Sequence, residues 1–178
     1  MTSAIIYLVD SLLTIYLYVL IMRFVMQLTR ADFRNQVAHF IVVVTNPVIM
    51  PLRRILPPVR KVDTASVLAI VLVAALTIGV LQLIAYQSLP DPITWIYGVG
   101  RMLLRAFIVF YIGCIFVYAL LSFLVQGGYS PIFDLLGTVV EPVLRPFRRI
   151  IPPIAGWDLS TLWALLALGA LLRLLSLG

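Results

Sequence analysis

The sequence predicts an all-α integral membrane protein: four transmembrane helices as two parallel repeats, each with an interfacial amphipathic helix and a proline-bracketed basic elbow. Three observations predict it. The 178 residues are 63% hydrophobic and 11% charged, with a mean hydropathy of +1.12, too little polar surface to cover a water-soluble domain. Four mostly apolar runs, near 5–28, 65–86, 105–126 and 159–176, are each long enough to cross a hydrocarbon core of roughly 30 Å as a helix. One dodecamer occurs twice, as PVIMPLRRILPP at 47–58 and PVLRPFRRIIPP at 142–153.

The first run opens MTSAIIYLVD with no Lys or Arg before it. A secretory signal peptide needs a basic start and a small-residue cleavage site, so this run is expected to stay as a helix. Sliding the chain by 95 residues aligns Pro47, Val48, Pro51, Arg53, Arg54, Ile55, Pro57, Pro58 and Asp63 with Pro142, Val143, Pro146, Arg148, Arg149, Ile150, Pro152, Pro153 and Asp158, without a gap. Such self-similarity is the mark of an internal duplication, and it divides the chain into repeat 1 (1–95) and repeat 2 (96–178). Two spans per repeat put both dodecamers on one face of the membrane.

Before each dodecamer, apolar residues recur at three- and four-residue spacing: Phe33, Val37, Phe40, Ile41 and Val44 in one copy, Ile132, Leu135, Leu136, Val139, Val140 and Val143 in the other. Both stretches are expected to be amphipathic helices lying at the interface. Ser130 and Pro131 form a helix-start pair, with Asp134 favourable in the first turn. Asn46-Pro47 and Glu141-Pro142 then predict a new start, and Pro51 and Pro146 predict a bend, because proline lacks an amide hydrogen and crowds the preceding turn. Leu52, Ile55 and Leu56, like Phe147, Ile150 and Ile151, are expected to face acyl chains while the arginine pair meets headgroups. The double proline ends the helix and redirects the chain.

Arg53, Arg54, Arg148 and Arg149 are the candidate lipid- or partner-binding residues. Two roles suit them: anchoring the elbow and setting topology, or binding phosphate through the planar guanidinium fork. Asp63 and Asp158 stand at the foot of the second and fourth spans, each followed by Ser or Thr, which is the composition of a helix cap; pairing with an elbow arginine is the alternative. The elbow itself is built from Pro47, Pro51, Pro57, Pro58 and Asp63, and from Pro142, Pro146, Pro152, Pro153 and Asp158.

Three charges fall inside the spans. Asp10, on one face with Thr14 and Tyr18, maps by the repeat offset onto Arg105, so the two either pair or snorkel outward. Arg23, about one turn inside the dodecamer end of the first span, is expected to snorkel, with interfacial carbonyls or the elbow as alternative partners. Ala75 and Gly79 form a small-residue pair suited to a close helix contact.

Lys and Arg concentrate on the dodecamer side, at Arg30, Arg34, Arg53, Arg54, Arg60, Lys61, Arg145, Arg148 and Arg149, against Arg101 and Arg105 opposite, with Arg173 close to the C-terminus. The positive-inside rule then places the elbows in the cytoplasm and both termini outside. This explains the net charge of +6 better than nucleic-acid binding, since the cations lie between apolar runs. Cys114 is the sole cysteine and lies within the third run, which excludes an intramolecular disulfide and a cysteine-based metal cluster. His39 has no second ligand at metal spacing, and the chain has no phosphate-binding glycine loop, GxSxG or HExxH. No enzyme, metal or cofactor is expected.

MRFVMQ at 22–27, TNPVIMPLRRILP at 45–57, VQGGYSPI at 125–132 and EPVLRPFRRIIPP with Asp158 carry a resemblance to the YggT family of bacterial inner-membrane proteins, called YlmG-like in Gram-positive bacteria and plastids. It covers nearly the whole chain. The resemblance implies a multi-pass protein of the bacterial inner membrane with a part in tolerance of osmotic or potassium stress, in division and envelope organisation, or in plastids in haem attachment during cytochrome b6 assembly. The first copy departs from the pattern, with Arg60-Lys61 where the second has Ala155-Gly156. The leading expectation is a non-enzymatic membrane organiser whose elbows bind phospholipid or a membrane-protein partner. The alternatives are a small oligomeric ion channel or transporter subunit, and an assembly factor for a membrane complex.

Overall fold

The computed structural model describes residues 2–33, 35–56, 63–124, 130–150 and 159–177. Among these residues the regular structure is entirely helical: α1 (Thr2–Thr29), α2 (Gln36–Ile55), α3 (Thr64–Tyr86), α4 (Pro92–Leu124), α5 (Pro131–Ile150) and α6 (Leu159–Leu177). Both ends of α2 and α5 are 95 residues apart, as are the starts of α3 and α6 and the ends of α1 and α4. That spacing equals the sequence offset between the two dodecamers.

Five helices, α1, α2, α3, α4 and α6, are long and apolar enough to cross a membrane. The fifth, α2, reaches that length because the new start expected at Pro47 does not occur. Pro47 and Pro51 lie inside α2, and Pro142 and Pro146 inside α5, so the amphipathic stretch and the first part of the dodecamer are one continuous helix. The new starts expected at Pro47 and Pro142 are thus corrected. Prolines four apart strip amide hydrogens from one face of a helix, and packing of its buried stripe can carry it past them. The double prolines Pro57, Pro58, Pro152 and Pro153, together with Asp158, lie outside the described residues.

α4 starts 13 residues before the run expected from residue 105. Asp91 accepts a hydrogen bond from the Thr94 amide at 3.0 Å, and Pro92 occupies the first helical position, where its missing N–H costs nothing. α5 starts as the sequence predicts, with Ser130 Oγ accepting the Phe133 amide at 3.4 Å. Asn35 Oδ1 does the same for α2 through the Val37 amide at 2.9 Å. α1 closes with Arg30 at φ 55° and Ala31 N–H donating back to Met26 at 2.9 Å, a left-handed helix stop.

The chain packs as two compact units: residues 1–24 with 41–106, and 25–40 with 107–178. These are not the sequence repeats, because α1, α2 and α4 each contribute to both. In the first unit Leu17, Leu20 and Ile21 of α1, Thr45 and Ile49 of α2, and Ala69, Ile70 and Ala74 of α3 are buried. Trp95 of α4 donates its indole N–H to the Ala75 carbonyl at 3.1 Å and passes 3.8 Å from where a Cβ on Gly79 would stand. The predicted small-residue pair therefore seats an aromatic side chain.

In the second unit Ile115, Val140, Leu144 and Ala164 form a buried cluster, with Cys114, Tyr118 and Phe147 packed against it. Cys114 is apolar filler, as expected. Phe147 packs inward, which corrects its assignment to acyl chains, whereas Ile150 is exposed as expected.

Candidate functional site at the basic helix ends

The first unit holds a buried arginine. Arg23 is 5% exposed, and its Nη1 donates to the Val42 carbonyl at 3.1 Å, to Thr45 Oγ1 at 2.6 Å and to Asn46 Oδ1 at 2.9 Å. Snorkelling is thereby corrected, because the alternative partner is the polar turn just before Pro47. Thr45 Oγ1 donates in its turn to the Ile41 carbonyl at 2.6 Å. Side-chain donors thus gather in the helical turn that precedes Pro47. The arrangement joins MRF of α1 to TNP of α2, two of the segments that carry the family resemblance.

Asp63 stands at the N-cap position of α3 and makes no side-chain capping bond. The pairing alternative is realised instead. Its Oδ2 accepts from Arg53 Nη2 at 2.5 Å and Nε at 3.2 Å and from Ser66 Oγ at 2.8 Å. Its Oδ1 is buried with no hydrogen-bond partner among the described residues. Burial alone would push the Asp63 carboxyl up, but the hydrogen bonds from Arg53 and Ser66 and the charges of Arg53 and Arg23 bring it below its ordinary value. Arg53 is accordingly tied back onto the foot of α3.

The second unit is built differently. At the repeat offset, Arg23, Thr45 and Asn46 correspond to Tyr118, Val140 and Glu141. Tyr118 stacks on Phe133, with ring centroids 4.8 Å apart. Glu141 accepts from Arg148 at 2.6 Å and pairs with Arg145 at 3.6 Å. These partners are each at least one-third exposed, so water screens them. Glu141→Gln is expected to cost under about 1 kcal/mol in chemical denaturation.

The four candidate arginines therefore divide into two kinds. Arg53 and Arg148 hold carboxylates, whereas Arg54 and Arg149 are exposed and have no carboxylate partner among the described residues. Ile55 and Ile150, beside them, are 76% and 78% exposed. Pro47, Pro51, Pro142 and Pro146 lie inside the same helices.

Asp10 and Arg105 line one cavity of about 390 Å³ in the first unit, with Thr14, Tyr18, Thr77 and Arg101. They form no ion pair, which corrects the direct pairing. Asp10 accepts from Thr14 Oγ1 at 3.3 Å instead. His39 is exposed, and no group of three potential metal ligands occurs among the described residues.

A helical chain with five helices able to cross a membrane and a basic helix end that recurs at a fixed offset defines a class of membrane protein. The CCB3/YggT family model matches residues 2–84 and 99–177, and the chain belongs to that family. The Pseudomonas aeruginosa protein PA0392 is 37% identical over 173 residues, 94% of this chain and 86% of its own length. Escherichia coli K12 YggT is 34% identical over 163 residues, 91% and 84% of the two chains. A Vibrio alginolyticus protein from the proC 3' region is 39% identical over 157 residues, 88% and 84% of the two chains. None of these names an enzymatic activity, and no solved structure matches.

Proposed function

We propose that the protein is a non-enzymatic organiser of the bacterial inner membrane, whose basic helix ends hold anionic phospholipid or an acidic membrane partner and so support tolerance of osmotic or potassium stress. The carrying observation is the recurrence of an exposed arginine beside an exposed isoleucine, Arg54 with Ile55 and Arg149 with Ile150, at the ends of α2 and α5. A cation beside an apolar side chain matches the boundary between headgroup and acyl chain. In this reading the chain is two parallel repeats: α1, α3, α4 and α6 cross the membrane, α2 and α5 lie at the cytoplasmic interface, and both termini are outside. Two prolines and an arginine pair favour the interface over a span for α2.

Each basic residue near an anionic leaflet is worth about 1 kcal/mol. The double change Arg54→Gln with Arg149→Gln is therefore expected to weaken phosphatidylglycerol and cardiolipin binding about fivefold at each end, read as lipid retained on the purified protein. The same double variant should fail to restore growth at high osmolarity or high potassium to a strain lacking the protein. Full restoration with unchanged lipid retention would overturn the reading. Reporter fusions after residues 56 and 178 test the topology: a cytoplasmic signal from the second would remove the four-span arrangement.

A further inference from the structure

The second unit contains a cavity of about 870 Å³ between the end of α1, the second half of α4 and the polar face of α5. That volume falls within the range of small-ligand pockets, about 300–1,000 Å³. Tyr111 and Tyr118 of α4 and Phe133 of α5 bring aromatic rings to its wall. The Tyr118 and Phe133 rings are parallel within 7° at a centroid distance of 4.8 Å, and Phe110 meets Tyr111 edge-on at 5.5 Å. Gly137 makes room beside Tyr118, since a Cβ there would stand 3.4 Å from the ring. At the repeat offset the first copy has Arg23, Ala38 and Val42 in place of Tyr118, Phe133 and Gly137. The stacked wall therefore belongs to the second copy alone.

Most polar groups of the lining are already engaged. Thr29 Oγ1 donates to the Val25 carbonyl at 2.9 Å, and Thr138 Oγ1 to the Asp134 carbonyl at 3.0 Å. Glu141 accepts from Arg148 at 2.6 Å and lies 3.6 Å from Arg145. Asp134 stands in the first turn of α5, where the helix dipole favours a carboxylate, and it is exposed. These charges have their counterparts, so none of them calls for a charged ligand. The phenols differ. Tyr111 and Tyr118 make no hydrogen bond among the described residues, and a phenol O–H held away from water needs an acceptor.

Two unused donors beside parallel aromatic rings select a neutral, planar ligand that carries acceptors. Tyr111 and Tyr118 stand seven residues apart, two turns on one face of α4 and about 10 Å along its axis. A ligand that meets both must hold acceptors on opposite sides of a rigid body, which a single carboxylate, phosphate or amide cannot do. An anion would also face Asp134 and Glu141, and a cation would leave the phenol protons unmet. An acyl chain would leave both hydroxyls without a partner. A ring with carbonyls at opposite positions accepts at both ends and stacks on aromatic side chains.

We propose that this cavity binds the head ring of a lipid-soluble quinone, with Tyr111 and Tyr118 each donating to one carbonyl. With α4 crossing the membrane as proposed above, the tail of the quinone runs from the cavity into the bilayer.

The test uses the full-length protein in phosphatidylcholine nanodiscs, titrated with decylubiquinone and read by native mass spectrometry as quinone bound per chain. Decylbenzene, a similar tail on a ring without carbonyls, is the control. One saturable site per chain is expected, with decylbenzene at least tenfold weaker. Tyr111→Phe and Tyr118→Phe keep the rings and remove the hydroxyls. Each should weaken quinone binding about fivefold and leave the melting temperature unchanged, which separates loss of the site from loss of fold. The Arg54→Gln, Arg149→Gln double variant should bind quinone as wild type does, so failure here and failure at the helix ends are distinguishable. Equal binding of decylbenzene, absence of a saturable site, or full affinity in the Tyr111→Phe, Tyr118→Phe double variant would overturn the proposal.

Discussion

Replacing Asp63 with asparagine is expected to lower stability by about 3 kcal/mol, because it leaves the guanidinium groups of Arg53 and Arg23 without their shared counter-charge. The figure stays at the low end of the range for broken buried pairs, since Arg53 is itself 41% exposed and partly screened. A denaturant titration of the detergent-solubilised protein measures it. The same residue sets a pH dependence. Its carboxyl is held below its ordinary value, so its stabilisation is complete above about pH 4, the unfolded value. That stabilisation disappears as pH falls through the folded value. Wild-type protein should therefore lose melting temperature as pH falls below about 4, and Asp63→Asn should lose less over the same interval. Parallel curves for the two proteins would mean that Asp63 contributes nothing to the acid response.

The second large effect is expected at Arg23. Arg23→Gln leaves Thr45, Asn46 and the Val42 carbonyl short of the donors they now share. Hydrogen bonds to a charged donor are worth about 1.5–3 kcal/mol each, and glutamine can replace part of them. A net loss of about 2–4 kcal/mol follows, again by denaturant titration. Arg23→Lys keeps the charge and loses the fork, and should fall between. A stability unchanged from wild type in Arg23→Gln would place the guanidinium in solvent and refute the buried geometry.

Much of this architecture can be read from composition and period alone. The helices α1, α3 and α6 are legible because a run of about 20 apolar residues has few alternatives. The early start of α4 is not, since Trp95, Tyr97, Gly98 and Arg101 dilute the hydropathy there. Asp91-Pro92 before Thr94 was the available signal. The buried stripe of α2 was misjudged in a telling way. The periodic apolar set Phe33, Val37, Phe40, Ile41 and Val44 meets the buried set Ala38, Ile41, Thr45 and Ile49 only at Ile41, and Phe33 and Phe40 are exposed. A periodicity argument weights size and hydropathy, and gives no weight to a threonine that serves a buried arginine.

That arginine's partners were hidden for the same reason: one of its acceptors is a backbone carbonyl, and all depend on the rotation of α2. A trace of it does lie in the sequence. Arg23, Thr45 and Asn46 change together to Tyr118, Val140 and Glu141 between the copies, three differences that have one physical cause. Asp63 with Arg53 is visible as one of two options, and geometry decides between them: one carboxylate oxygen accepts from the guanidinium ten residues back rather than from the amides ahead.

The buried arginine also bears on how the chain is made. With α1 as a membrane span, the ribosome delivers it before α2 with an arginine near its end, whose insertion costs less than the roughly 2.5–3.5 kcal/mol of a lone helix's centre. The acceptors that relieve it follow 19 to 23 residues later. At about 5–20 residues per second they emerge within roughly one to five seconds. The first helix therefore need not wait for the second half of the protein. Its partner for release from the insertion machinery is the segment synthesised next, and the amino-terminal half acquires its lock while the carboxy-terminal half is still being translated.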